Sequence, residues 1–179
     1  LRVLFVIYIL IFINLVFFMG TVKWGILGAA KIAKEQVIPA MKKSKNTELY
    51  AIASREISKA EDFCHKFAIT KAYDDYNKLI SDPNIDAVYI PLPNHLHVPF
   101  SINALKAGKH VLCEKPISIT SDEIFELIEV QKETKKIVSE AFMVRFHPQW
   151  TETKKLIQQG EIGKLNAIQG LFNYFNTDP

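Results

Sequence analysis

Two short stretches combine residue types and spacings that could hold a phosphorylated ligand. The first is Gly25-Ile26-Leu27-Gly28-Ala29-Ala30-Lys31-Ile32-Ala33. Set against the pattern G-x-G-x-x-G/A, Gly28 takes the first place, Ala30 the second and Ala33 the third. The first glycine allows a tight turn, the second lets backbone approach a pyrophosphate, and the third lets helix pack on strand. Ala30 departs from the pattern, because its methyl occupies space at the phosphate. The N–H groups and positive dipole end of a following helix still suit an anion. The second stretch is Ala53-Ser54-Arg55. A dinucleotide site selective for NAD places Asp or Glu at this point to accept from the ribose 2′-OH. A hydroxyl and a guanidinium suit a 2′-phosphate instead, and arginine can grip phosphate with two bonds. The residues therefore point to NADP ahead of NAD. The bland alternative is a solvated Arg55 paired with Glu56.

Such residues need elements that hold them at the end of a sheet. From Val22 onward, short apolar runs alternate with stretches of helical periodicity. Strands are expected at Val22 to Leu27, Glu48 to Ala53, Ala72-Tyr73, Asp86 to Ile90, Lys109 to Cys113 and Ile137 to Ala141. Helices are expected between them, with Ile32, Val37, Ile38 and Met41 on the first. Phe63 and Phe67 share a face of the second. Tyr76 to Ile80 is a short helix, and His97 to Ala107 ends at Gly108. Ser58-Lys59-Ala60-Glu61 and Thr120-Ser121-Asp122-Glu123 read as capping boxes, the latter opening a helix with Ile124, Leu127 and Ile128 inward. A last helix spans His147 to Gln159 and stops at Gly160. The expected fold is α/β, a Rossmann-type parallel sheet with helices on both faces. Ligands of such sheets lie at the carboxyl ends of the strands, where strand order reverses.

Composition narrows the function classes. The net charge is +3 over 179 residues. The lysine groups Lys42, Lys43, Lys45 and Lys132, Lys135, Lys136 end helices and do not interleave with aromatics, so nucleic acid is not an expected partner. Cys64 and Cys113 show no metal-ligand spacing, no metal is expected, and a reducing, cytoplasmic setting fits. Cys113 reads as a small core residue. His65, His95 and His110 are given no role. Residues 1–19 are apolar except for Arg2 and Asn14. This leader is just long enough to span a bilayer and could also be a signal sequence. The favoured reading is upstream translation, with Met19 as the true start. A membrane-tethered protein is expected only if residues 1–19 are natural.

Four further segments, in this order, make the reading specific. They are Pro91-Leu92-Pro93-Asn94-His95-Leu96-His97, Ala107-Gly108-Lys109-His110-Val111-Leu112-Cys113-Glu114-Lys115-Pro116, Glu140-Ala141-Phe142-Met143-Val144-Arg145-Phe146-His147-Pro148, and Gly160-Glu161-Ile162-Gly163-Lys164. With them the chain resembles the glucose-fructose oxidoreductase/inositol dehydrogenase/MocA (Gfo/Idh/MocA) family from Val22 to about Phe175. The third segment is most similar to the branch of NADP-dependent D-xylose dehydrogenases and dimeric dihydrodiol dehydrogenases. The resemblance implies an NAD(P)-dependent dehydrogenase acting on CH–OH groups of a sugar or diol. It implies that Gly28, Ala30 and Ile32 form the phosphate turn and that Ser54 and Arg55 face the adenosine ribose. Pro93, Asn94 and His97 would line the dinucleotide, Glu114 and Lys115 would sit beside the nicotinamide, and Arg145 would lie close to the same pocket. Lys115 is the implied catalytic residue. Its ammonium would stabilise a developing alkoxide, and Glu114 could hold it charged.

The resemblance also divides the chain. Residues 20–145 are the dinucleotide-binding domain, and 146–179 begin a truncated α+β domain for substrate and dimerisation, with a first strand at Lys164 to Phe175. That second domain carries the family's Tyr or His acid/base, which has no counterpart here. Phe172, Tyr174 and Phe175 would then be uncovered. The chain is accordingly expected to bind dinucleotide but turn over little, and the full-length protein to be a homo-oligomer. The alternative is a non-catalytic dinucleotide-binding regulator on the same fold, against which Glu114-Lys115-Pro116 argues.

Overall fold

A computed structural model describes residues 20–171 and residue 173. The apolar leader, and Phe172, Tyr174 and Phe175, lie outside the described residues. Compactness divides the chain between Ala141 and Phe142.

The first unit is a six-stranded, all-parallel sheet in the order β3-β2-β1-β4-β5-β6. The strands are β1 (Val22–Leu27), β2 (Thr47–Ala53), β3 (Lys71–Tyr73), β4 (Ala87–Ile90), β5 (His110–Cys113) and β6 (Val138–Glu140). β4 is buried throughout, as a central parallel strand covered on both faces must be. Order reverses between β1 and β4, which pair through Trp24↔Ala87, Gly25↔Val88 and Ile26↔Tyr89. One apolar cluster gathers Leu27, Val88, Ile90, Leu105 and Leu127. The other gathers Ile26, Ala33, Ile38, Ile52, Phe63 and Tyr89.

The crossover from β1 is a helical run over residues 31–41 whose middle, Ala33–Val37, is wound as π-helix before α1 (Ile38–Met41). Pro39 gives the physical reason. Its ring cannot donate to, and would strike, the carbonyl four residues back. Widening the preceding turn, with Ile38 N–H donating to Ala33 O, relieves this.

α2 (Ile57–Phe67) buries Phe63 and Phe67, whose ring centroids lie 5.6 Å apart. Its start corrects the expected Ser58 capping box. The N-cap is Glu56 and has no side-chain cap bond. The helix begins one residue before Ser58, so that serine lies inside the first turn. Lys59 reaches back to Glu56 Oε1 at 2.8 Å instead.

α3 (Tyr76–Ile80) is capped by Asp75, which accepts from the N–H groups of Asn77 and Lys78. α4 (His97–Lys106) ends at Gly108, φ +79°. α5 (Ser121–Thr134) opens on the expected Thr120/Glu123 capping box and buries Leu127 and Val130.

The second unit holds a 3-10 turn, Met143–Phe146, and α6 (Pro148–Gln158). His147 caps that helix by accepting from Gln149 N–H. The described part of the strand expected over Lys164 to Phe175 is irregular and has no ladder partner among the described residues. A lone strand needs neighbours to become a sheet.

Candidate dinucleotide site

The turn after β1 has the geometry a phosphate needs. Gly28 sits at φ +112°, open to glycine and strained for other residues. A Cβ on it would lie 3.1 Å from Leu92 Cδ2 and 3.9 Å from Pro91 O. The turn therefore nests directly against the end of β4, at the point of strand reversal. Gly28 N–H also donates to Ala53 O at 2.8 Å, tying the ends of β1 and β2 together. Ala30 is half-buried and Ile32 is exposed, both at the entry to the helical run. Ala33 is fully buried, as close helix–sheet packing requires.

Ser54 and Arg55 follow β2. Ser54 is buried, its N–H donating to Tyr73 O and its Oγ accepting from Glu56 N–H at 3.3 Å. Arg55 is exposed. The pairing of Arg55 with Glu56 is not formed, since Glu56 pairs with Lys59. Among the described residues Arg55 has no ion-pair partner.

Beyond β4, Pro93 and Asn94 are exposed on a 3-10 turn, Asn94–Leu96. His97 differs from its expected place along the dinucleotide. It is 1% exposed, and both ring nitrogens already face backbone carbonyls. Nε2 is 2.7 Å from Leu92 O and Nδ1 is 2.7 Å from Pro116 O. Which of the two nitrogens donates is set by the ring tautomer. His97 thus clamps two loops together and offers no edge to a ligand.

Glu114 and Lys115 follow β5. Glu114 does not grip the Lys115 ammonium as expected. Its Oε1 accepts from Tyr89 OH at 2.7 Å, and its Oε2 from the Lys115 backbone N–H at 3.3 Å. Glu114 N–H donates to Ile90 O, and Ile117 N–H to Glu140 Oε1 at 3.0 Å. The Lys115 side chain is exposed, and the Lys115–Pro116 peptide is cis. Burial, followed by the bond to Glu114, pushes the Tyr89 hydroxyl well above the usual phenol range, so it stays a donor. Tyr89 was not singled out from the sequence. A tyrosine within the apolar run Ala87-Val88-Tyr89-Ile90 was the available signal, because a buried phenol needs a hydrogen-bond partner. Cys113 is fully buried and its thiol is pushed up to about 12, chiefly by burial, which fits a core residue.

The structure thus gathers Gly28, the Leu92 loop and the Glu114–Ile117 loop on one edge, with Ser54 and Arg55 beside them. Arg55 follows β2 and Lys115 follows β5, three strand steps apart, roughly 14 Å at the usual spacing. Arg145 lies in the second unit, exposed on its 3-10 turn. It lines a groove of about 600 Å³ there with Val144, Trp150 and Lys154.

Residues 22–142 match the family model described as an oxidoreductase family with an NAD-binding Rossmann fold. The chain belongs to the Gfo/Idh/MocA family. Within it, the chain is 47% identical over 161 residues to an uncharacterised oxidoreductase of Rhizobium meliloti, covering 90% of this chain and 48% of that protein. It is 39% identical over 151 residues to D-xylose 1-dehydrogenase (NADP(+)) 2 of Haloferax volcanii, covering 84% and 46%. Among solved structures, KijD10, a 3-ketoreductase from Actinomadura kijaniata in complex with NADP, superposes with a TM-score of 0.75 at 35% identity, over 81% of this chain and 46% of that one. The chain spans about half the length of these Gfo/Idh/MocA relatives. No helix among the described residues is long and apolar enough to cross a membrane.

Proposed function

We propose that this chain is the cofactor-binding part of an NADP-dependent oxidoreductase that moves hydride between nicotinamide and a sugar or diol hydroxyl. The observation that carries the reading is the carboxyl edge itself. A glycine turn opens at the strand reversal, a guanidinium flanks it on one side, and an anchored loop bearing an exposed lysine flanks it on the other. The residues fit a dinucleotide. At Gly28 a Cβ would meet Leu92 and the positive φ would be strained, so this position supplies the tight turn that a dinucleotide-binding strand-to-helix junction needs. Helix N–H groups at residues 31–33 have no intrahelical partners and face anions well. Arg55 and the Ser54 hydroxyl suit a 2′-phosphate, and the D-xylose dehydrogenase and ketoreductase relatives support NADP.

When bound, the nicotinamide supplies the hydride acceptor or donor. The chain's own residues do the positioning. Gly28 and the following helix start hold the pyrophosphate, and Pro93 and Asn94 border the path toward β5. Lys115 would donate from its ammonium to the substrate oxygen, stabilising the negative charge that grows there as the hydroxyl proton passes to a general base supplied from beyond residue 145 and the hydride leaves carbon for the nicotinamide. We place the substrate-facing remainder of the protein beyond residue 145, and the protein in the cytoplasm as a homo-oligomer.

The test is titration of the chain with NADPH and NADH by nicotinamide fluorescence, for wild type and Arg55→Ala. The wild type should prefer NADPH. The substitution should lower NADPH affinity about tenfold or more, as loss of a charged hydrogen bond predicts, and leave NADH affinity alone. An unchanged preference would remove Arg55 from the site.

A further inference from the structure

We infer that Tyr89 and His97 are positioning residues that aim the Lys115 amine by pinning the residues on either side of it. The inference rests on the reading of Lys115 above and extends it to two side chains that touch neither cofactor nor substrate.

Four consecutive residues are fixed. Glu114 is held by Ile90 O through its N–H and by Tyr89 OH through its carboxylate. The Lys115 N–H is held by Glu114 Oε2. Pro116 O is held by His97 Nδ1, and the Ile117 N–H by Glu140 Oε1. Within this run the Lys115 side chain alone is left to reach out. A lysine amine rides on a flexible four-carbon stem, so any play in the backbone that carries it adds to the spread of the amine. Misplacement of a reacting group by about 1 Å can cost about a hundredfold in rate.

Both anchors are costly features for a core. Tyr89 is fully buried and His97 is 1% exposed. Apolar residues of similar size at such sites often leave stability unharmed or raised. Both anchors reach the same four-residue loop, and they come from the two ends of a single segment. Tyr89 lies in β4 and His97 begins α4, with Pro91 to Leu96 between them. His97 also grips Leu92, whose side chain lies over Gly28. The phosphate turn and the lysine loop are therefore referenced to one rigid piece.

The experiment compares full-chain wild type with Tyr89→Phe, His97→Leu and His97→Gln. Each is followed by NADPH affinity, melting temperature, and acetylation of Lys115 by acetic anhydride, read by mass spectrometry with and without NADPH. In wild type, NADPH should shield Lys115 about tenfold, as placement beside the bound ring requires. In Tyr89→Phe and His97→Leu the shielding should fall to about twofold or less, with NADPH affinity held within about threefold in Tyr89→Phe, whose bond reaches only the lysine loop. His97→Gln keeps an amide donor for one carbonyl, so it should retain more shielding than His97→Leu. Wild-type shielding in all three variants overturns the inference and leaves the proposed function standing. Loss of affinity and melting temperature in proportion to shielding also overturns it, since that marks a purely structural role. A wild type that binds NADPH without shielding Lys115 defeats the lysine assignment and this inference together. A wild type that binds no dinucleotide defeats the proposed function at its root.

Discussion

At the amino-terminal side of the sheet, Asp82 is 5% exposed and accepts from Tyr73 OH, Lys71 Nζ and both Asn84 donors. Beside it Lys109, 7% exposed, donates to Asp82 O and Ile85 O at 2.7 Å each. At the carboxyl side, Tyr89 and His97 form a network of similar burial. The first network closes on itself: its bonds run among the side chains and carbonyls of its own neighbourhood. The second stops one residue short on each side of Lys115 and leaves that side chain reaching outward. Burial of polar groups alone therefore does not mark a site. What separates the two is whether the chain of bonds ends on a group free to meet something else.

This contrast can be broken. The largest effect is expected at the open end. In the oxidoreductase proposed above, Lys115→Met should lower turnover about a thousandfold, the scale of losing one charge-stabilising donor, with little change in melting temperature. Comparable turnover in the variant would mean that the outward group is not the point of the carboxyl network.

At the closed end the order of effects should invert. Asp82→Ala strands Tyr73 and Asn84 donors and should cost about 3 kcal/mol of stability in urea unfolding, with NADPH affinity of the folded protein unchanged. A matching loss of affinity would erase the distinction between the two ends. The same residue predicts a pH dependence. Burial pushes the Asp82 carboxyl upward, but hydrogen bonds from Tyr73, the Asn84 backbone and Lys71 outweigh it and hold the group well below the usual carboxylate range. Its folded pKa is thus lower than the unfolded value of about 3.9. Its stabilising contribution is present above that value and is lost as pH falls through the folded pKa. Urea midpoints measured downward from about pH 5 should fall less steeply in Asp82→Asn than in wild type.

The smallest effect sharpens the comparison at the Gly28 turn. Gly28→Ala puts a Cβ at φ +112° and 3.1 Å from Leu92. It should cost about 1–3 kcal/mol of strain, visible as a lower melting temperature, and should weaken NADPH binding if the turn meets the pyrophosphate.

Much of this was legible in the sequence because it depends on local pattern. Six strands, the Thr120 cap, the Gly108 stop and the buried face of Phe63 and Phe67 all follow from periodicity and turn chemistry. The Ser58 box misled because the helix starts two residues earlier, with Glu56 as N-cap, and the Lys59–Glu56 pair stabilises that start. The π-wound turn was not legible, since helical spacing hides a single widened turn. At the site, Gly28, Ser54 and Arg55 were readable from the turn and strand that carry them. The partners of His97, Glu114 and Tyr89 were not. Each bond joins residues five to twenty-five positions apart, and only strand order decides which carbonyl or carboxylate they meet.

The π-wound turn also shifts the angular phase of the crossover helix. Ala33 and Ile38 are both fully buried, yet five residues of ordinary α-helix would separate them by about 140°. The wide turn brings them to one side while giving Pro39 room. Deleting Gln36 would restore an even winding and keep both apolar contacts, but would push the proline ring back onto a carbonyl. The deletion alone should destabilise by about 3 kcal/mol, and pairing it with Pro39→Ala should recover most of that loss. Chemical denaturation of the two variants reads whether the extra residue is there for the proline.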